Sequence, residues 1–527
     1  MLQSTVAISM NATRPWRSAS FSVWFLLTGL VLQTTQASAN EPGYFSVHVI
    51  DAETGRGVPL VELRTVNEIS YWTDSAGYIA INEPGLQGET AYFHVQSHGY
   101  EYPADGFGFR GVRLKVEPRS EATIKLSRKN IAERLYRVTG EGVYRDSVLL
   151  GKDVPIKQSL LNAGVMGSDS VMTAVYEDRI YWFWGDTNLP NYPLGNFHTP
   201  GATSPLPVKG GLDPSIGINL EYFTDDKGYA KATCKMPGEG PTWIEGVTVL
   251  NAASAGEKPL MTAGYAKIKP PLTAYERGIA VWDPASQAFK QHAVFPKNAQ
   301  AHPMGHPIIS EQDGVTYVYY CRPFPLVRVP ADPESMLHPS QYEAYTYLLP
   351  GSDPNNVELD RDKNGDLVWK WRRDSRLPTR DLEEQWVREK RIAEHEQTFR
   401  MDTAGSDRTW TLHTSTIAWN DYRKRWIMIA LEAGGESSYL GEVYYCEAED
   451  LHGPWSPAVK IVTHDRYSFY NPRLHPMLTK DNGRTVFFEG TYTQTFSNAP
   501  RATPRYDYNQ IMYQLDLNDP RLSGENQ

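Results

Sequence analysis

Residues 167–187 read GSDSVMTAVYEDRIYWFWGDT. A polar opening around Asp169 leads into an apolar run from Val171 to Tyr176. Glu177 and Asp178 make a turn, and an aromatic run from Tyr181 to Trp184 ends on Gly185-Asp186-Thr187. This is the pattern of strand, turn, strand. Four later stretches share the design, with polar openings at Glu245, His306, His413 and Asn471. Once a charged, helix-patterned insertion from Thr379 to Phe399 is set aside, the openings recur about every 65 residues. Short aromatic strands repeated in units of four predict an all-β fold, a five-bladed β-propeller over residues 142–517. A multi-sheet β-sandwich, or two smaller β domains, is the alternative.

Upstream, residues 44–127 alternate apolar and polar positions in FSVHVIDAETG, VPLVELRTV, AYFHVQSHGY and EATIKLSR, with turn residues between. They predict a small β-sandwich. Residues 128–141 read as a linker, with a short basic amphipathic helix over Asn130 to Arg137. Residues 1–39 have the layout of a secretory signal: Arg14 and Arg17, the apolar run Phe21 to Leu32, then Ala37-Ser38-Ala39. The expected location is secreted or periplasmic, with an uncleaved N-terminal anchor as the alternative. No integral membrane segment is expected in the mature chain.

The chain has 527 residues and a formal charge of −10, which argues against a general nucleic-acid binder. Aromatic residues make up 12%, with 31 Tyr, and 41 Gly and 37 Pro supply turns. The 3 cysteines, Cys234, Cys321 and Cys446, are too few and too scattered for a disulfide framework. One bridge or three buried thiols are the open choices. No zinc spacing occurs. Asp360-x-Asp362-x-Asn364-Gly365-Asp366 opens like a calcium loop, but Trp371 stands where the closing Glu belongs, so it reads as a hairpin turn. No metal or other cofactor is expected.

In a propeller the first strand of each sheet borders the central channel, so residues at its entrance converge from distant parts of the chain. Asp169, Glu245, His306, His413 and the pair Asn471/His475 are therefore candidates for one polar site. Glu245 interrupts the apolar run TWIEGVTVL, a costly place for a carboxylate without a partner or a task. Asp169 and Asp186 also read as turn carboxylates that cap their own backbone. His306 also reads as a hydrogen-bonded structural histidine. Glu432, Glu436 and Glu489 are further strand-end or loop carboxylates, and Trp184 offers a ring for stacking on a sugar.

YWFWGDT in the first unit and GEVYYCEAEDLHGPW in the fourth resemble the five-bladed propeller glycoside hydrolases, a group of arabinanases, xylosidases, fructosidases and endo-D-arabinanase-like secreted proteins. NPRLHPML followed by FFEGTYT is similar to the last unit of the D-arabinanase-like members. The order V-x-D-x-x-T-G and T-D-x-x-G-Y in residues 44–127 resembles the carboxypeptidase-regulatory or transthyretin-like sandwich. The resemblance implies hydrolysis of a polysaccharide or oligosaccharide by carboxyl groups at the propeller centre. Asp169 then serves as base or nucleophile and Glu245 as acid, with Asp186 and His306 tuning charge or binding hydroxyls. A secreted, non-catalytic carbohydrate-binding or cell-surface propeller is the alternative.

Overall fold

The computed structural model describes residues 43–251, 258–351 and 357–523. The expected leader, 1–39, lies outside the described residues. The chain from Gly43 onward forms a single compact unit, nearly all strand.

Two four-stranded sheets come first. One holds Tyr78–Ile81, Phe45–Asp51, Glu121–Arg128 and Tyr100–Glu101 in that order. The other holds Ser70–Trp72, Glu62–Thr65, Thr90–Gln96 and Gly111–Lys115. The alternation of Phe45, Val47 and Val49 turns one face inward, where they meet Leu63, Phe93 and Ile124 in a shared core.

Six antiparallel sheets follow, a small one of Gly167–Ser168, Thr187–Leu189 and Tyr192–Asn196 and five larger ones. The inner strands of the five larger sheets are Val171–Tyr176, Thr242–Leu250, His306–Gln312, Thr409–Asn420 and Ser468–Leu474. Each inner strand touches the next, and the fifth touches the first, so the sheets stand around one axis as a propeller. Each sheet is covered on both faces by its neighbours. Middle strands such as Arg425–Ala433 (RWIMIALEA) and Thr485–Thr493 (TVFFEGTYT) are therefore buried almost throughout and lack the alternation of a half-exposed strand. Each fully buried Leu, Ile or Phe in them contributes about 1.5–3 kcal/mol.

One expectation fails. Asn130 to Arg137 forms no helix; Glu133–Arg137 is the outer strand of the last sheet, antiparallel to Asn509–Asp516. Its charged residues are buried because each has partners. Arg134 donates to Pro59 O at 3.1 Å and His98 O at 3.0 Å, and Glu133 accepts from Gln514 at 2.7 Å. The insertion does contain the expected helix, Arg380–Arg388, capped by Thr379. Asp362 accepts the Asn364 and Asp366 N–H groups, as a turn aspartate does. All three cysteines are free and buried. Among the described residues no helix is long and apolar enough to cross a membrane.

Candidate active site

A cavity of about 210 Å³ opens where the inner strands converge. Asp169, Asp186, Glu245, His306 and Asn471 line it, together with Ser170, Trp243, Gly305, Arg322, Thr414 and Arg473. Three of the five inner strands carry a register shift at this end: between Glu245 and Thr248, between Leu412 and Thr414, and between Tyr470 and Arg473. Bulges re-aim side chains that a regular pleat would point into a neighbouring sheet.

Asp169 and Asp186 face each other across the end of the first hairpin, where the Asp169 N–H donates to the Asp186 carbonyl at 3.1 Å. Ser170, Thr491 and Tyr508 donate hydroxyl hydrogens to Asp169, the last two at 3.4 Å, and Tyr470 also bonds to it. Burial pushes the Asp169 carboxyl up, and these hydroxyls offset part of the rise. Burial and Asp169 in turn hold the Tyr470 phenol protonated, as a donor. Ser170 sits at φ +31° and Asn471 at φ +52°. The Asn471 amide donates to Ser170 Oγ at 2.6 Å, so the two left-handed residues hold the Ser170 hydroxyl on Asp169.

Asp186 has a poorer environment. The Trp243 indole N–H donates to Oδ1 at 3.1 Å. Burial, reinforced by the charge of Asp169, pushes the Asp186 carboxyl up to about 6 despite that bond. Of the two aspartates, Asp169 has more donors that favour an anion, and its charge favours the protonated form of Asp186.

Glu245 is the reverse case. Burial pushes it up, but the Arg322 guanidinium and the Gly305 N–H, at 2.8 Å, outweigh burial and hold its carboxyl below the usual range. These surroundings favour the carboxylate of Glu245 rather than the protonated acid expected from the sequence. Gly305 is the residue this contact requires. Its φ is +66°, and a Cβ there would lie 1.7 Å from the Cys321 carbonyl oxygen.

His306 is 7% exposed, and its Nε2 lies 2.8 Å from the Ile417 N and 3.3 Å from the Ile417 carbonyl oxygen, which ties the ring to the fourth inner strand. Arg473, 9% exposed, donates to Thr173 O at 3.2 Å, and burial lowers its guanidinium to about 10.

The other candidates are not brought to the cavity. Trp184 has no exposed surface and packs between Trp182 and Tyr222, so it offers no ring to a ligand; the cavity's indole belongs to Trp243. His475 and Glu489 are wholly buried and bond to each other at 2.9 Å, and Thr173 reaches the other imidazole nitrogen at 3.3 Å. Glu432 is buried against Arg408 and accepts from Tyr444 at 2.9 Å. Glu436 lies exposed in the loop after the strand Arg425–Ala433. His413 occupies the bulge beside Thr414; burial, with Arg380 and Arg322 near, pushes it down to about 4. Among the described residues no group of three or more His, Cys, Asp or Glu side chains could hold a metal ion.

No family model matches the chain, and no curated protein does. Solved structures that match part of the chain include an exo-1,5-α-L-arabinanase from a bovine ruminal metagenomic library. It is 10% identical with a TM-score of 0.33, and the match covers 67% of this chain and 94% of that one. An α-L-arabinanase of Cellvibrio cellulosa is 10% identical with a TM-score of 0.33, over 67% and 92%. An exo-β-1,3-galactanase of Phanerochaete chrysosporium with galactose is 12% identical with a TM-score of 0.32, over 70% and 64%. Such likeness gives no residue correspondence.

Proposed function

We propose that the protein is a secreted glycoside hydrolase-like enzyme that cleaves a polysaccharide or oligosaccharide at the propeller axis. The observation that carries this reading is the unequal pair of carboxyl groups in one open cavity. Asp186 is pushed up to about 6 beside Asp169, whose hydroxyl donors favour its anion. Glycosidic cleavage needs one carboxyl in each state. Asp186 gives its proton to the leaving oxygen. Asp169, ionised, attacks the anomeric carbon or takes a proton from water, and it keeps Asp186 protonated until then. Glu245, fixed on Arg322, holds substrate hydroxyls and is not the acid. Trp243 presents the aromatic face that suits a sugar ring. The sandwich of residues 44–127 is an accessory module.

The test is release of reducing ends from a panel of polysaccharides by wild type, Asp169→Asn and Asp186→Asn. Each variant is expected to lose at least about 100-fold, the range of a positioned acid or base. Full activity in both would remove the assignment.

One observation favours binding without cleavage: Asp169 already accepts several hydroxyls and Glu245 is already paired. Glycan capture with no product from any polysaccharide would select that reading.

A further inference from the structure

Beside the cavity lies a wider groove of about 910 Å³, whose ionisable lining includes Arg277, His302, Lys269 and Lys297 with Glu239 and Glu276. Strand register ties the two together. Trp243 of the cavity pairs with Ala266, and Ala266 pairs with Arg277, so the three stand in a row on one face of the second sheet. Two strand spacings put Arg277 about 10 Å from Trp243, with only the Ala266 methyl between. Glu276, the next residue, also borders the groove, where its carboxylate is engaged by the Tyr265 hydroxyl at 2.8 Å.

Arg277 is half-buried, yet its guanidinium makes no hydrogen bond or ion pair with any described residue. Among the described residues Arg322 pairs with Glu245, and no ion pair reaches Arg277. Burial lowers it, Glu245 offsets this, and Arg322 adds repulsion; His302 is in turn pushed down to about 4 by burial and by Arg277. The Glu245 carboxylate outweighs the Arg322 repulsion but forms no bond with Arg277, so the Arg277 guanidinium keeps donors free for an incoming anion.

Resting on the glycan reading above, we propose that Arg277, flanked by His302 and Arg322, is a subsite for an anionic substituent, carboxylate or sulfate, on a sugar unit adjoining the one held at Asp169 and Asp186. Planar bidentate recognition suits both anions.

The test uses the intact protein on an array of neutral, uronate-bearing and sulfated oligosaccharides, followed by calorimetry on the ligands retained. Acidic oligosaccharides are expected to bind at least tenfold tighter than neutral ones of the same backbone. Arg277→Gln should abolish that preference without weakening neutral binding, and Arg277→Lys should restore part of it. Preference for uronates or for sulfates identifies the anion. Equal binding of acidic and neutral glycans, no binding of any acidic glycan, or a preference that survives in Arg277→Gln overturns the proposal. Cleavage of neutral glycans alone would leave the hydrolase reading standing while this one fails. Arg277-dependent binding without cleavage would do the opposite.

Discussion

Asp186→Asn provides a test that needs no substrate. The folded chain raises the Asp186 carboxyl from 3.8 to about 6. At about 1.4 kcal/mol per pKa unit, ionising it in place costs about 3 kcal/mol more than ionising it in the unfolded chain. The folded state binds the proton more tightly, so this group's contribution to stability is intact below pH 3.8 and declines as pH rises to about 6. Asparagine mimics the protonated acid, can still accept from Trp243, and does not titrate. Near pH 7.5 the variant is therefore expected to be more stable than wild type, by up to about 3 kcal/mol; near pH 4 most of that gain disappears. Urea unfolding at the two pH values, read as the midpoint with the slope held common, measures the difference. An equal effect at both pH values, or destabilisation at neutral pH, would refute the account of Asp186 as a carboxyl held against its charge. The predicted loss of activity in the same variant would make it more stable and inactive, the trade-off expected where a fold retains a strained acid.

The remaining predictions are structural. Glu245→Gln should cost about 1 kcal/mol at neutral pH, little because Arg322 is half exposed, and the deficit should close as pH falls below 4.5 and wild-type Glu245 protonates; parallel urea curves check it. Gly305→Ala should destabilise by about 1–3 kcal/mol, since its φ is positive and its Cβ meets the Cys321 carbonyl, and a thermal melt reads it. His475→Ala should cost about 3 kcal/mol or more by leaving buried Glu489 without its partner. Its effect on glycan binding should be confined to what instability explains. Tyr136→Pro removes a ladder hydrogen bond from the outer strand of the last sheet together with a buried ring whose hydroxyl donates to Pro214 O at 2.6 Å, and should cost about 3–5 kcal/mol, seen as a lower denaturation midpoint.

The sheets and their polar entrances were legible because carboxylates and histidines interrupt apolar runs at matching places. Asp169, Glu245, His306 and Asn471 share the cavity for that reason, and Asp186 joins them from the end of its hairpin. The same signal misleads at His475 and Glu489, where two polar groups on facing strands satisfy each other inside the core. Sequence shows that a group is polar, but not whether its partner is another side chain. Arg322 and Arg473 gave no signal, since arginine is commonplace on surfaces and only the ring brings these two to its axis. Asn130 to Arg137 reads as a basic amphipathic helix because charged and apolar residues mix there, a pattern that also fits a strand whose charges find partners. In fact Arg134 spends its donors on carbonyls of the sandwich.

The outer strand of the last sheet, Glu133–Arg137, has its partner at Asn509–Asp516, hundreds of residues downstream. On a ribosome it emerges before any of the five inner strands and waits with an open edge until the final hairpin appears. The circle is thus sealed last, by its oldest and newest pieces together. A nascent chain halted before Asn509 carries an unmated edge and an incomplete toroid, and such species are the ones most exposed to chaperones and to misassociation.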